Sequence, residues 1–256
     1  MIKKLVPKKI KTILRNIILR GDNVECPICE KTFIKFLPFG VPPSKPRMNA
    51  MCPNCLSLER TRIYWRYLSN KTNFFNSKKN ILHVAPEIKL FEKFSSYPKI
   101  NYFPVDKFTE GYSYPNGTIN MDITHLKYPD NYFDFILCSH VLEHIPNDID
   151  AMKELYRVLK PNDGFGILQV PIELDREITY EDHTITSPIE REKAFGQFDH
   201  VRIYGKDYIQ RLKSVGFEVE LDEFANKTSN ADKFRFGFGK GESLFIVRKK
   251  NQNKTS

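Results

Sequence analysis

The sequence predicts an α/β fold: a mostly parallel sheet covered by helices, with a small cysteine module ahead of it. Residues 121–171 carry the first observation. An apolar run at 133–138 is followed by Ile149, Met152, Leu155, Tyr156 and Leu159 at helical spacing, then by a second apolar run at 165–170. Such a strand–helix–strand unit implies a parallel sheet. The second observation is that further short apolar runs recur on both sides of this unit. The third is a pair of Cys-x-x-Cys motifs, Cys26 with Cys29 and Cys52 with Cys55.

Along the chain, residues 1–22 read as a basic amphipathic helix. Ile10, Ile13, Leu14, Ile17 and Ile18 fall at helical spacing among seven basic residues, Lys3, Lys4, Lys8, Lys9, Lys11, Arg15 and Arg20, with no acid up to residue 20. The formal net charge is +9, so this segment leaves only +2 for the rest. Net charge therefore does not imply a broad nucleic-acid-binding face. Residues 1–20 can lie on an anionic membrane surface. The alternative is that their apolar side packs on the protein's own body. No run of about 18 apolar residues exists, and no signal-peptide pattern stands at the start, which points to the cytoplasm, with peripheral contact at the inner membrane surface.

Residues 23–58 form the cysteine module. Two knuckles separated by 22 residues suit a tetrahedral zinc ion, each offering two thiolates on a tight turn. Four thiolates close the coordination sphere, so Cys26, Cys29, Cys52 and Cys55 predict a structural Zn2+. A disulfide pair and unlinked cysteines are the other readings, the disulfide being disfavoured in the cytosol. Glu30 and Leu56 stand where such knuckles often carry glycine. Residues 59–79 read as a linking helix.

Residues 80–249 hold seven apolar runs: 80–85, 101–105, 118–121, 133–138, 165–170, 217–221 and 243–248. The last two form a hairpin-like pair joined by a glycine-rich loop. Residues 172–204 are polar and aromatic without a clear period. Residues 206–215 read as a helix stopped by Gly216, and residues 250–256 as a disordered tail.

The order of an acid, YPDNYFDFIL, SHVLEHI and KELYRVLKP resembles the second half of class I S-adenosylmethionine-dependent methyltransferases, in the group with Leu-Glu-His after the fourth strand. The resemblance implies a Rossmann-like seven-stranded methyltransferase sheet with the last strand antiparallel. It implies S-adenosylmethionine as cofactor, bound beyond the strand ends by Ala85, Pro86, Glu87, Asp106, Asp122, Ile123, Ser139 and His140. In this reading Asp106 accepts the ribose hydroxyls, Asp122 and Ile123 meet the adenine edge, and Ser139 and His140 line the methionine end. One departure stands out. The family's glycine-rich first turn is replaced by Ala85-Pro86-Glu87, which lacks glycine's freedom and one N–H donor. Glu87 either pairs with the cofactor's ammonium group or starts the next helix.

For catalysis, Asp199 and His200 are the first choice for an orienting acid and a base, with His140 next, and Arg202 as a grip for an anion. His144 reads as a fixed part of the helix after the fourth strand. The leading function is methylation of a small-molecule or glycan-type acceptor, at oxygen. The alternatives are an RNA methyltransferase, since a zinc module resembles the layout of certain ribosomal-RNA enzymes, and a catalytically silent methyltransferase-like binding protein.

Overall fold

A computed structural model describes residues 7–40, 45–240 and 242–250. In chain order the elements are α1 (Lys8–Ile18), β1 (Val24–Cys26), β2 (Lys31–Phe33), β3 (Leu37–Phe39), β4 (Arg47–Met51), α2 (Glu59–Lys71), β5 (Lys79–Val84) and α3 (Ile88–Ser96). Next come β6 (Ile100–Asp106), β7 (Ile119–Asn120), β8 (Phe135–Ser139), a 3-10 turn (Leu142–His144), α4 (Asp148–Val158) and β9 (Phe165–Gln169). Then follow β10 (Tyr180–Glu181), α5 (Pro188–Phe195), β11 (Arg202–Ile203), α6 (Tyr208–Ser214), β12 (Phe217–Asp222), α7 (Phe224–Lys227), α8 (Asn230–Phe236) and β13 (Leu244–Lys249). Lys3, Lys4 and the tail from residue 251 lie outside the described residues.

Two compact units emerge, and they interleave along the chain. One holds residues 1–77, 87–96 and 223–243; the other holds 78–86, 97–222 and 244–256.

The larger unit is built on a seven-stranded sheet in the order β12-β13-β9-β8-β5-β6-β7. Strands β7, β6, β5, β8 and β9 run parallel, and β13 is antiparallel to both β9 and β12. Every residue of β8 and β9 is buried, as central parallel strands require. The chain leaves β5 for β6 on one side and β8 lies on the other, so the strand order reverses between β5 and β8. In such sheets, ligands bind beyond the C-terminal strand ends at this reversal.

The sheet is the seven-stranded, last-strand-antiparallel arrangement expected from the sequence. Three local expectations are corrected. Residues 172–204 contain α5 and the β10–β11 pairing, Tyr180 with Ile203 and Glu181 with Arg202. His144 is not in the helix after β8. It ends a separate 3-10 turn, because Pro146 disfavours helix before it, and α4 starts behind the cap Asn147, whose side chain accepts from the Asp150 N–H. The segment joining β12 to β13 is not a mere glycine-rich loop. It forms α7 and α8 and belongs to the smaller unit.

Arg62 organises that smaller unit. It is fully buried, and its guanidinium donates to the carbonyls of Ser57 (2.6 Å), Ala50 (2.8 Å), Phe236 (2.8 Å) and Gly237 (2.6 Å). Burial pushes its pKa down, and the nearby Cys26, Cys52 and Cys55 sulfurs favour its charge. Gly237 sits at φ +61°, and a Cβ there would come within 2.4 Å of Phe36 and 2.7 Å of the Arg62 guanidinium. Only glycine leaves both the turn and the Arg62 contact intact.

Candidate active site and cysteine centre

Positions at the C-terminal ends of the parallel strands are set by two unusual backbone turns. Ala85 follows β5 with φ +49°, and His140 follows β8 with φ +55°. Each is pinned by a backbone bond to a neighbouring strand, Ala85 N–H to Val105 O (2.9 Å) and His140 N–H to Gln169 O (2.8 Å). Left-handed non-glycine residues store strain and concentrate at functional sites. Ala85 thus adopts the backbone geometry that a glycine would give more cheaply.

Asp106 closes β6. Burial pushes its carboxyl pKa up, and a hydrogen bond from the Lys107 backbone offsets part of that. One such bond fills a fraction of a carboxylate's roughly four acceptor sites, which fits a ligand with a pair of hydroxyl donors. Asp122 follows β7. Its Oδ1 accepts from Thr124 N (2.9 Å) and Oγ1 (2.8 Å), and its Oδ2 from Lys107 Nζ (2.8 Å). Partial burial works against its charge, but these contacts hold its pKa at about 2. Ile123 and Ser139 are buried beside these positions in sequence, at 3% and 5% exposure. Glu87 belongs to the smaller unit, where its carboxylate lies 3.6 Å from Arg60 Nε and its carbonyl accepts from Phe91 N–H as α3 begins.

His140, Asp199 and His200 fall into one neighbourhood with two residues the sequence reading left out of the catalytic set, Glu143 and His144. His140 Nδ1 lies 3.3 Å from Glu143 Oε1. Asp199 Oδ2 lies 3.4 Å from His144 Nδ1, so the acid next to His200 in sequence pairs with the other histidine. The His144 and His200 rings meet edge to face at 4.7 Å. Burial pushes the His200 pKa below its usual value, and His144 adds to this. The expected anion grip, Arg202, is corrected. It is 1% exposed and spends its donors on the carbonyls of Leu142, Ile145 and Pro146 and on Glu181.

In the smaller unit, Cys26 Sγ lies 3.6 Å from Cys55 Sγ, and Cys29 Sγ 3.7 Å from Cys52 Sγ. A disulfide needs about 2.05 Å. Tetrahedral zinc with bonds of about 2.3 Å places its sulfurs about 3.8 Å apart. The observed spacings are close to those of such an ion. Glu30 and Leu56 take φ +59° and +64°, the conformation for which such knuckles use glycine. Their N–H groups bond back to Cys26 O (2.8 Å) and Cys52 O (3.0 Å), closing each turn. Ser57 Oγ lies 3.3 Å from Cys26 Sγ and 3.2 Å from Cys55 Sγ. Hydrogen bonding with Cys29 raises the Cys26 thiol, but bonding with Cys52 and Cys55 carries it down to about 7. Contacts with Cys26, Cys52 and Cys55 push Cys29 far down as well. Hydrogen bonding to Cys26 and Cys29 pushes Cys52 and Cys55 up in turn, so two sulfurs of the four favour the thiolate, the form that binds metal.

The family model described as a methyltransferase domain matches residues 105–167, the stretch from the end of β6 into β9. Over that stretch the chain is similar to methyltransferases. Asp106, Asp122, Ser139 and His140 lie inside the matched stretch; Ala85, Pro86 and Glu87 lie outside it. The chain is 40% identical over 68 residues to demethylmenaquinone methyltransferase of Chlamydia trachomatis serovar L2, spanning 27% of this chain and 28% of that protein. It is 25% identical over 127 residues to sterol 24-C-methyltransferase of Yarrowia lipolytica, spanning 48% and 30%. It therefore spans less than a third of the length of these curated relatives. The crystal structure of the (4+2)-cyclase SpnF shares the fold at a TM-score of 0.51 and 16% identity, covering 75% of this chain and 83% of that one. A cyclase on this fold means that the fold does not select the reaction.

Proposed function

We propose that the methyltransferase transfers a methyl group from S-adenosylmethionine to an oxygen of a small-molecule or glycan-type acceptor. One observation carries the reading. Two acids and a Ser-His pair, Asp106, Asp122, Ser139 and His140, sit at C-terminal strand ends within the stretch shared with methyltransferases. Bound there, the cofactor supplies an activated methyl on a sulfonium. The chain's own part is alignment and proton removal. Asp106 accepts the ribose hydroxyls, Asp122 and Ile123 frame the adenine, and Ser139 lines the methionine end. Ala85 and Pro86 form the first turn under the cofactor, with Glu87 opening the next helix.

His140 takes the proton of the acceptor hydroxyl. It is the exposed member of its pair, at 27%, and the buried Glu143 carboxylate can hold its Nδ1 so that Nε2 faces outward. His200 and Asp199 support it from the same cluster. The quinone and sterol named in the relatives favour a small apolar acceptor over RNA.

The cysteine centre holds a structural zinc. The module then contributes folding rather than chemistry. The apolar side of α1 supports contact with an anionic membrane. Ile13, Ile17 and Ile18 are 58%, 65% and 72% exposed, beside the basic residues Lys11, Arg15 and Arg20. Among the described residues no helix is long and apolar enough to cross a membrane.

The test is to incubate the protein with labelled S-adenosylmethionine and extract fractions, then identify the labelled product. Label should enter a small organic-soluble or glycan product, and His140→Ala should lower turnover by about 10²–10⁴. Label in RNA alone, or no transfer at all, would refute the proposal.

A further inference from the structure

The turn Leu142–His144 and the segment entering β11 bring three metal-ligating side chains together. One ligand atom each of Glu143, His144 and His200 lies within 4.8 Å of the others. Glu143 and His200 are buried, and His144 is 30% exposed, which leaves an approach from solvent. Glu143 spends Oε1 on His140, as described above. Its Oε2 is buried and meets no hydrogen-bond donor among the described residues. Asp199 repeats the pattern. Its Oδ2 approaches His144, and its Oδ1 is buried without a donor.

A carboxyl oxygen buried without a donor costs free energy. Two of them border a pair of imidazoles whose ring nitrogens can donate lone pairs. A divalent cation answers both deficits at once. Two imidazoles and a carboxylate form a borderline donor set that suits Mn2+, Fe2+ or Zn2+; Mg2+ and Ca2+ favour all-oxygen sites. Asp199 meets His144 Nδ1 with both its carboxylate and its backbone carbonyl, the latter at 3.3 Å. That is how a metal-bound histidine is commonly oriented, with the other ring nitrogen left for the ion.

The scaffold is fixed in advance. Val201 N–H donates to Glu143 O at 3.0 Å, tying the segment that bears His200 to the turn that bears Glu143 and His144. Buried Arg202 adds bonds to Leu142 O (2.9 Å) and Ile145 O (2.5 Å) on either side of that turn. The three ligands are thus held together before any ion arrives.

We propose that Glu143, His144 and His200 form a binding site for a divalent first-row transition-metal ion, distinct from the cysteine centre. Three protein ligands leave coordination positions open, as in catalytic rather than structural sites. The site lies beside His140 at the end of β8. The open positions suit an oxygen of the methyl acceptor, whose hydroxyl the ion would acidify. That last consequence rests on the methyl-transfer reading; ion binding does not.

The test uses the full chain with its cysteine centre intact and with neither cofactor nor acceptor present, so its failure leaves the methyl-transfer reading standing. Mn2+ is titrated in, and free Mn2+ is followed by electron paramagnetic resonance. Saturable binding of one Mn2+ per chain is expected. Glu143→Gln and His200→Ala should each weaken it by at least about tenfold. His144→Ala, at a partly exposed position, serves as the variant that keeps its fold, verified by circular dichroism, and should weaken binding equally. Lack of saturable binding up to about 1 mM Mn2+, where specific affinity ends, would overturn the proposal. So would native affinity in folded His144→Ala, which would mean that the cluster is a neutral hydrogen-bonded core.

Discussion

Arg202 Nη1 donates to the carbonyl oxygen of Leu142 at 2.9 Å, across 60 residues of chain. The same guanidinium reaches Ile145 O, Pro146 O (2.9 Å) and Glu181 Oε2 (2.9 Å), and lies 3.7 Å from buried Asp148. Arg211 shares Asp148 at 2.7 Å, and Tyr204 Oη donates to it at 2.7 Å. This network holds the 3-10 turn after β8 against β11, and so holds the whole histidine cluster.

Arg202→Met should therefore destabilise the larger unit by about 3–5 kcal/mol, the usual result of removing one partner from a buried ion network. Urea titration followed by circular dichroism measures it. A loss below about 1 kcal/mol, the level of an exposed pair, would contradict the assignment.

The cysteine centre predicts about one zinc per chain after extensive dialysis. Elemental analysis should find it in the native protein and not in Cys26→Ser with Cys52→Ser. Chelation at elevated temperature should unfold residues 23–58. A protein that is fully folded and stable without metal would contradict the centre.

Asp106 gives a pH-dependent prediction with a definite sign. Its folded pKa is raised, so at neutral pH the folded state holds an ionised carboxylate at a desolvation cost absent from the unfolded chain. Its stabilising contribution is full below the unfolded value of about 3.9 and is lost as pH rises through the higher folded value. Asp106→Asn should therefore leave the melting temperature at pH 7 equal to or above native. The advantage should vanish below pH ~3.9. A marked drop in melting temperature at pH 7 would show that Asp106 is a structural rather than a ligand-directed acid.

The exposed side of α1 predicts sedimentation with vesicles containing anionic lipid, weakened by salt. Ile17→Glu with Ile18→Glu should reduce binding more than about tenfold, since each buried isoleucine contributes about 1.5–3 kcal/mol. Equal binding of native and variant protein would remove the membrane from the account.

The sheet is legible in the sequence because central parallel strands read as continuous apolar runs. β8 and β9 show this at every residue. The knuckles are legible because Cys-x-x-Cys spacing is local chemistry. Residues 223–243 are not legible as part of the smaller unit. Their anchor is Arg62, which binds the backbone carbonyls of Phe236 and Gly237, and a carbonyl leaves no trace in residue identity. Arg202 misleads for the same reason: its partners are mainly backbone oxygens far along the chain. Glu143 and His144 are visible as part of the Leu-Glu-His motif, but their junction with His200 requires the 3-10 turn and the Val201–Glu143 bond.

The central claim is a cofactor site at the ends of β5, β6, β7 and β8, and one calorimetric comparison tests it most directly. S-adenosylmethionine is titrated into the native protein and into Asp106→Ala. The account predicts one site per native chain and an affinity at least about tenfold lower in the variant, since a charge-assisted acceptor contributes about 1.5–3 kcal/mol. No binding to the native protein, or identical affinity in the two, would contradict it.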